Sequence, residues 1–349
     1  MGITGGLVAL RPQIATLLSP PAPRSAGCGT PPDWNRAARE ITAYSHSEIN
    51  RIYGPSGSDT RWHFRVKTNQ PAIYRHIVYD ACAARVLGAI DLGWMDWTVD
   101  LHHNLLAGRS GRRWAGFIGI ALLVSSLSGL LLWLVTKPSL LTAFQIAPRL
   151  SMASPRQIHR ALGILAGCLL AVEAFTGLWL CFPQTMRGAL SAVSTVSPDV
   201  RPVRNGQPSS RRAGLNELMA AAQYALPGGV VREIRLPEGN GSVQVRMWLP
   251  GDFRSLGNNV VFLSSGNADV LAVDRYAAQP VPNRLIQSMA ALHYDEWGGL
   301  PVRALCAAAG LVTPFLFVTG TLIWWYSRRR RTTPAARFKV VEPAAVSTR

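Results

Sequence analysis

Acidic residues are scarce. The 349-residue chain carries 19 Asp and Glu against 36 Lys and Arg, a formal net charge of +17. A surplus of that size invites a nucleic-acid reading, but its distribution argues against one. The connection 136–160 holds Lys137, Arg149, Arg156 and Arg160 with no acid, and Arg328, Arg329, Arg330 and Arg331 form an unbroken basic run. Most of the acids lie before Trp114 or after Phe182. By the positive-inside rule the two basic regions are cytoplasmic, and the acid-bearing segments lie outside. Cysteine is also sparse, five in all, with no CxxC or zinc-like spacing, which argues against a redox dithiol motif or a zinc ribbon. Cys168, Cys181 and Cys306 fall in apolar runs and read as small hydrophobes. Cys28 and Cys82 would face an oxidising compartment, where they either pair or stay free. The long polar segments hold no nucleophile motif, phosphate loop or metal cluster. No basic stretch followed by an apolar run opens the chain, so a cleavable signal peptide is not expected.

Three long apolar runs are present, residues 114–135, 162–182 and 302–326. Each meets the roughly 20 residues of helix that a bilayer core of about 30 Å requires. Trp114, Trp179, Trp324, Trp325 and Tyr326 stand near their ends, as interfacial aromatics do. The expected class is an α-helical membrane protein with extracytoplasmic α+β domains. Residues 1–10 resemble the end of the second run and read as the remnant of a first transmembrane helix. Residues 11–100 and 183–291 read as the two extracytoplasmic domains. Residues 136–161 form a cytoplasmic loop and 327–349 a basic cytoplasmic tail. The second domain shows a helix at 215–224 and strands at 230–236, 242–249, 259–263 and 270–276, while the first shows a helix at 34–41 and strands at 61–67 and 73–79. A helix against a small antiparallel sheet is expected in each.

An internal repeat brings function into the reading. Leu101-His102 returns as Leu292-His293, and in both copies a Gly lies six residues after the His (Gly108, Gly299), an Arg ten after (Arg112, Arg303), a Gly 27 after (Gly129, Gly320) and a Trp 31 after (Trp133, Trp324). If wholly helical, the 27 residues from His to Gly span about 40 Å, more than the bilayer core, so residues 101–113 and 292–301 are expected as interfacial His motifs on a broken helix. A pair of equivalent histidines is the ligand set that grips a haem iron from both faces, the bis-imidazole mode of electron carriers. The plainer reading is an interfacial or capping His. His103 is an alternative to His102. His159, on the cytoplasmic side, either ligates a second haem with a partner from the first helix or sits at the membrane surface beside Arg160. Arg112 and Arg303 either pair with haem propionates or snorkel at the interface. Gly129, Gly177 and Gly320 permit close helix approach. Glu173, a carboxylate inside an apolar run, is a proton-handling or hydrogen-bonding candidate.

The stretches Leu101-His102 with Leu105-Leu106-Ala107-Gly108, His159-Arg160-Ala161-Leu162-Gly163 with Thr176-Gly177-Leu178, and Leu292-His293 with Glu296-Trp297-Gly298-Gly299-Leu300-Pro301 resemble the bacterial PepSY-associated transmembrane helix family. That family includes iron-regulated inner-membrane proteins and haem-containing ferric-siderophore reductases. The resemblance implies four core helices with a periplasmic PepSY domain in each half, a location in the inner membrane and, in the reductase branch, haem b held by helix histidines. It departs at the N-terminus, where the family has an His-Arg-Trp-like start. Some relatives carry a cytoplasmic flavin and nicotinamide domain, and nothing of that kind follows Arg331. Electrons for a ferric siderophore or other iron chelate would then come from a quinol or a separate reductase. The competing expectation is a non-enzymatic PepSY membrane protein that binds or regulates a partner or peptidase. A chelate transporter has less to support it, since the runs hold one carboxylate and no discontinuous helix.

Overall fold

The computed structural model describes residues 1–21, 32–55, 59–70, 73–136, 154–200, 202, 212–237 and 241–332. The chain opens with α1 (Gly2–Ala9), α2 (Arg11–Leu18) and α3 (Trp34–Ser45). Strands β1 (Ile49–Tyr53), β2 (Arg61–Lys67), β3 (Tyr74–Asp80) and β4 (Arg85–Ile90) follow, then α4 (Gly93–Asn104) and the long α5 (Gly108–Thr136). A second long helix, α6 (Ser154–Cys181), leads through α7 (Pro183–Ser191) and α8 (Leu215–Ala225) into β5 (Val230–Arg235), β6 (Ser242–Trp248), β7 (Asn259–Ser264) and β8 (Val270–Asp274). After a single 3₁₀ turn come α9 (Val281–His293) and the third long helix, α10 (Gly299–Thr332).

Among the described residues, three helices are long and apolar enough to cross a bilayer, over Gly108–Thr136, Pro155–Cys181 and Gly299–Arg329. They extend past the apolar runs because the flanking Arg and Ser residues tolerate helix. Packing is unequal among them. α6 lies against α5, α10 and α9, and short α1 lies against α10 and α4. α5 keeps most of its side chains exposed, including Leu131, Leu132 and Val135, as expected of a surface that meets lipid.

The strands form one antiparallel sheet of eight in the order β4-β3-β2-β1-β5-β6-β7-β8. This corrects the expectation of two small sheets. The join is β1 against β5, with Ile52 opposite Ile234 and Tyr53 opposite Glu233. β1 is the strand that the pattern does not reveal, a five-residue Ile-Asn-Arg-Ile-Tyr with one buried side chain, Ile52. Without it each half would end in an unpaired edge. β2 and β6 alternate buried and half-buried residues along their whole length, so each offers one apolar face. Helices α3 and α8 cover that face. α3 buries Trp34, Ala37, Ile41 and Ser45, a stripe at helical spacing, and one core runs across the join from Phe64, Ile77 and Tyr79 to Leu218, Val245 and Leu263. The N-termini of the two helices exchange amides. Asn216 Oδ1 accepts from the Trp34 N–H at 2.8 Å, and Asn35 Oδ1 accepts from the Asn216 N–H at 3.1 Å.

The opposite face of the sheet carries a small apolar cluster of Val78, Ile90, Leu92 and Met95 at one end and charged groups at the join. At the join the buried Glu233 carboxylate lies 3.2 Å from Arg51, 3.0 Å from Arg235 and 3.4 Å from Arg246. Burial works to raise its pKa, but the three guanidinia outweigh it and hold the group below its ordinary value. Nearby, α2 and α4 lie over β3: Asp96 accepts from Arg11 at 2.6 Å and from the Tyr74 N–H at 3.2 Å. Cys82, in the turn between β3 and β4, is disulfide-bonded, whereas Cys168, Cys181 and Cys306 are free. Cys28 lies outside the described residues.

His76 on this face is buried, its Nε2 has no hydrogen-bond partner, and it stands 4.0 Å from Asp96. Burial first, then the charges of Arg11, His63, Arg65 and Arg51, push it down to about 3. Between the ordinary value of 6.5 and about 3 the unfolded chain therefore binds a proton that the folded chain excludes. Stability contributed by neutral His76 is present above pH 6.5 and is lost as pH falls toward 3, at about 1.4 kcal/mol per pH unit. Thermal melting across pH 7 to 4.5 should show Tm falling with acid, and His76→Gln should flatten that slope. An unchanged slope in the variant would show that His76 does not contribute.

Candidate functional site

Both interfacial helices stop abruptly beside the long ones. α4 ends where Leu105 and Leu106 take left-handed backbone, φ 48° and 57°, and Gly108 follows at φ 55°. α9 ends at His293, followed by Asp295 at φ 52° and Gly299 at φ 64°. Left-handed residues terminate helices because they turn the next amides out of register. A continuous helix would carry each histidine beyond the bilayer core. The breaks instead place His102 and His293 in the last turns of α4 and α9, next to α1 and α6.

The two imidazoles face each other, with ring centres 6.3 Å apart and planes 25° from parallel. His103 and Tyr294 form a second facing pair at 6.2 Å. Each histidine is held by a Thr-Gly dipeptide. His102 Nδ1 lies 3.1 Å from Thr4 Oγ1, and a Cβ on Gly5 would stand 3.0 Å from His102 Cε1. His293 Nδ1 lies 3.1 Å from Thr176 Oγ1, and a Cβ on Gly177 would stand 3.0 Å from His293 Cε1. His159 repeats the contact, 3.0 Å from Thr319 Oγ1 with Gly320 beneath its Cε1 at 3.3 Å.

These contacts fix the tautomer. A hydroxyl has one proton to give. Thr4 donates it to the Met1 carbonyl at 2.9 Å, Thr176 to Val172 at 2.8 Å and Thr319 to Phe315 at 2.7 Å. Assigning that proton to the carbonyl makes each Thr oxygen an acceptor from the histidine, which puts the hydrogen on Nδ1 and the lone pair on Nε2. Burial first, then His103 and His293, push His102 down to about 3, and burial with His293, Arg112 and Arg11 pushes His103 to about 4. Imidazoles with Nδ1 engaged have Nε2 available to a metal. Two metal–imidazole bonds of about 2 Å and two ring half-widths of roughly 1 Å put ring centres about 6 Å apart, a spacing that this pair matches.

The second half carries more. Glu173 Oε2 also lies 3.3 Å from His293 Nδ1, and Glu173 Oε1 accepts from Cys306 Sγ at 3.8 Å. Asp295 joins them, with ligand atoms of all three within 4.8 Å of one another. Burial pushes the Asp295 carboxyl up to about 6. Cys306 is thus more than the small hydrophobe expected of it, because its thiol faces two carboxylates.

The remaining predicted residues divide. Arg303 donates Nε to the Asp295 carbonyl at 3.2 Å, and Arg112 is exposed, near enough to His103 to depress it. Gly177 and Gly320 admit histidine rings, and Gly5 does the same. Gly129 meets nothing within 4 Å, so among the described residues it serves no close helix approach. His159 lies 17 residues, about 25 Å of helix, from Thr176, so its site is at the far end of the long helices. No role for Thr4, Thr176, Thr319, Tyr294 or Asp295 follows from the sequence pattern. The Thr-Gly dipeptides were the available signal, and their hydroxyls are the part that matters.

Alanine at Gly177 and at Gly129 separates the two kinds of glycine. Helix propensity favours Ala by up to about 1 kcal/mol at both. Gly129→Ala should be neutral or raise the melting temperature in detergent, whereas Gly177→Ala should lower it by pressing on a ring that Thr176 holds. Equal behaviour would show that the His293 contact exerts no constraint.

Comparison with curated proteins finds no match. The family model for the PepSY-associated TM region matches residues 1–327. With its three membrane-length helices and paired histidines, this chain belongs to the PepSY-associated transmembrane family.

Proposed function

We propose that the protein is an inner-membrane haem b protein that passes electrons to an extracytoplasmic ferric chelate, a siderophore reductase in kind. The observation that carries this reading is the His102–His293 pair: two imidazoles with ring centres 6.3 Å apart, each with its Nδ1 at a threonine hydroxyl. A bound haem would supply a one-electron carrier. His102 and His293 would hold its iron from opposite faces. Thr4 and Thr176 set the ring planes, and Gly5 and Gly177 let the rings lie close to α1 and α6. The Glu173 carboxylate, 3.3 Å from His293 Nδ1, would make that imidazole the more electron-rich of the two.

Read as two copies of helix, α+β domain and helix, the chain would have both histidines at the outer surface and His159 at the cytoplasmic one. His159, with Thr319 and Gly320, would serve a second haem, and the two would relay electrons outward. The donor would be a quinol or a separate reductase. Arg51, Arg65, Arg235 and Arg246 lie on the sheet face away from the core, and Arg254 beside Glu296 borders the same side. Such a surface suits an anionic chelate, whose ferric ion is released on reduction because the chelating groups hold Fe(II) far less tightly.

A reduced-minus-oxidised visible spectrum of the purified full chain tests the reading. A bis-imidazole haem b signal is expected, abolished by His293→Ala or His102→Ala and retained in His46→Ala. Absence of haem, or a signal indifferent to both substitutions, would overturn it and favour a PepSY protein that binds a partner without electron transfer.

A further inference from the structure

The cluster beneath His293 answers to a second chemistry. Glu173 comes from α6, Asp295 from the turn after α9 and Cys306 from α10, so three separate elements bring one ligand atom each within 4.8 Å of the others. Asp295 is only 2% exposed, and its Oδ1 is buried with no hydrogen-bond partner. The nearby Arg303 gives its Nε to the Asp295 carbonyl. An orphaned carboxylate oxygen in such a place costs roughly 1–3 kcal/mol or more unless something meets it.

We propose that Glu173, Asp295 and Cys306 bind a divalent transition-metal ion of the Zn(II) or Fe(II) class, at a site distinct from the facing imidazoles. One thiolate and two carboxylates form a borderline donor set that favours these ions over Mg(II) or Ca(II). Three protein ligands leave a fourth position open for water. Metal bonds of roughly 2.0–2.3 Å bring ligand atoms to about 3.3–3.8 Å from one another, so the side chains close by about 1 Å on binding. The ion displaces the Cys306 thiol proton into water and neutralises the charge that the two carboxylates place together. Glu173 is the least buried of the three, its side chain 22% exposed. The site stands whether or not His293 also ligates a haem.

The first half of the chain shows that the fold does not demand this cluster. Counting from His102 as from His293, the residues matching Asp295 and Cys306 are Asn104 and Ala115, and counting from Thr4 as from Thr176, Met1 matches Glu173. Asn104 there donates to Asp100 at 2.7 Å, an ordinary intrahelical bond. All three ligands thus appear together in one half and all three are missing in the other.

The test is a titration of the full chain in detergent with Co(II), read by near-ultraviolet thiolate-to-cobalt charge transfer and competed with Zn(II). One equivalent with a thiolate band is expected, displaced by Zn(II) and unaffected by excess Mg(II). Cys306→Ala should abolish the band, and Asp295→Asn should weaken binding at least tenfold. Both copy residues that the first half accommodates, and melting temperature checks that the variants fold. His102→Ala should bind cobalt normally, which separates this site from the imidazole pair. No thiolate band, or one that survives Cys306→Ala, would overturn the proposal.

Discussion

The hydrogen bond from an imidazole Nδ1 to a threonine hydroxyl is the constraint on which the site depends. It recurs at Thr4, Thr176 and Thr319, at 3.0–3.1 Å each time, and each threonine has spent its own proton on a helix carbonyl. That prior commitment decides which nitrogen is free. A serine or threonine that back-bonds in a helix usually contributes little to stability and slightly disturbs the helix. Here the back-bond turns a hydroxyl that could donate or accept into one that can only accept, and so selects a tautomer. The glycine that follows is part of the same device, since a Cβ at Gly5 or Gly177 would press on Cε1 of the ring that its neighbour holds.

For the rings to face each other, α4 and α9 must be placed together, and they are attached to opposite halves of the chain. The eight-stranded sheet joins those halves. β1 and β5 pair across the join, a single core fills one face, and Glu233 with its three arginines ties the other. A buried carboxylate among guanidinia adds little net stability over an apolar substitute, but it penalises any slip in register that would separate them. The join ties the two halves into one sheet, while α4 and α9 follow its outermost strands, β4 and β8, and pack on the helices, α4 on α1 and α5 and α9 on α6.

Much of this was legible in the sequence. The spacing of His, Gly, Arg, Gly and Trp is a long-range coincidence that pattern alone can detect, and it led directly to His102 and His293. Apolar runs marked the three long helices, and strict alternation marked β2 and β6. What escaped notice has physical reasons. β1 is short, with one buried side chain and arginine at its centre, and its pairing with β5 joins residues some 180 positions apart, which no local window sees. Asp295 occupies a turn, where an acid is unremarkable until its burial is known. Cys306 lies in an apolar run, where composition assigns it to packing. Its polar partners come from α6 and from the turn before α10, and only the fold brings them near.

The two halves are alike where the backbone is concerned and unlike where chemistry is concerned. Both break a helix with left-handed residues and a glycine, and both seat a histidine on a Thr-Gly pair. Among the described residues, His293 has a carboxylate oxygen 3.3 Å from its Nδ1, and its half gathers Glu173, Asp295 and Cys306. At the far end the difference reverses: Thr319-Gly320 holds His159, while the matching Ser128-Gly129 of α5 faces open space. A common architecture bearing unequal ligand environments gives any two bound groups unequal affinities for electrons and protons. On the proposed electron-transfer reading, that inequality is what would give the path a direction, because identical sites would pass charge equally well either way.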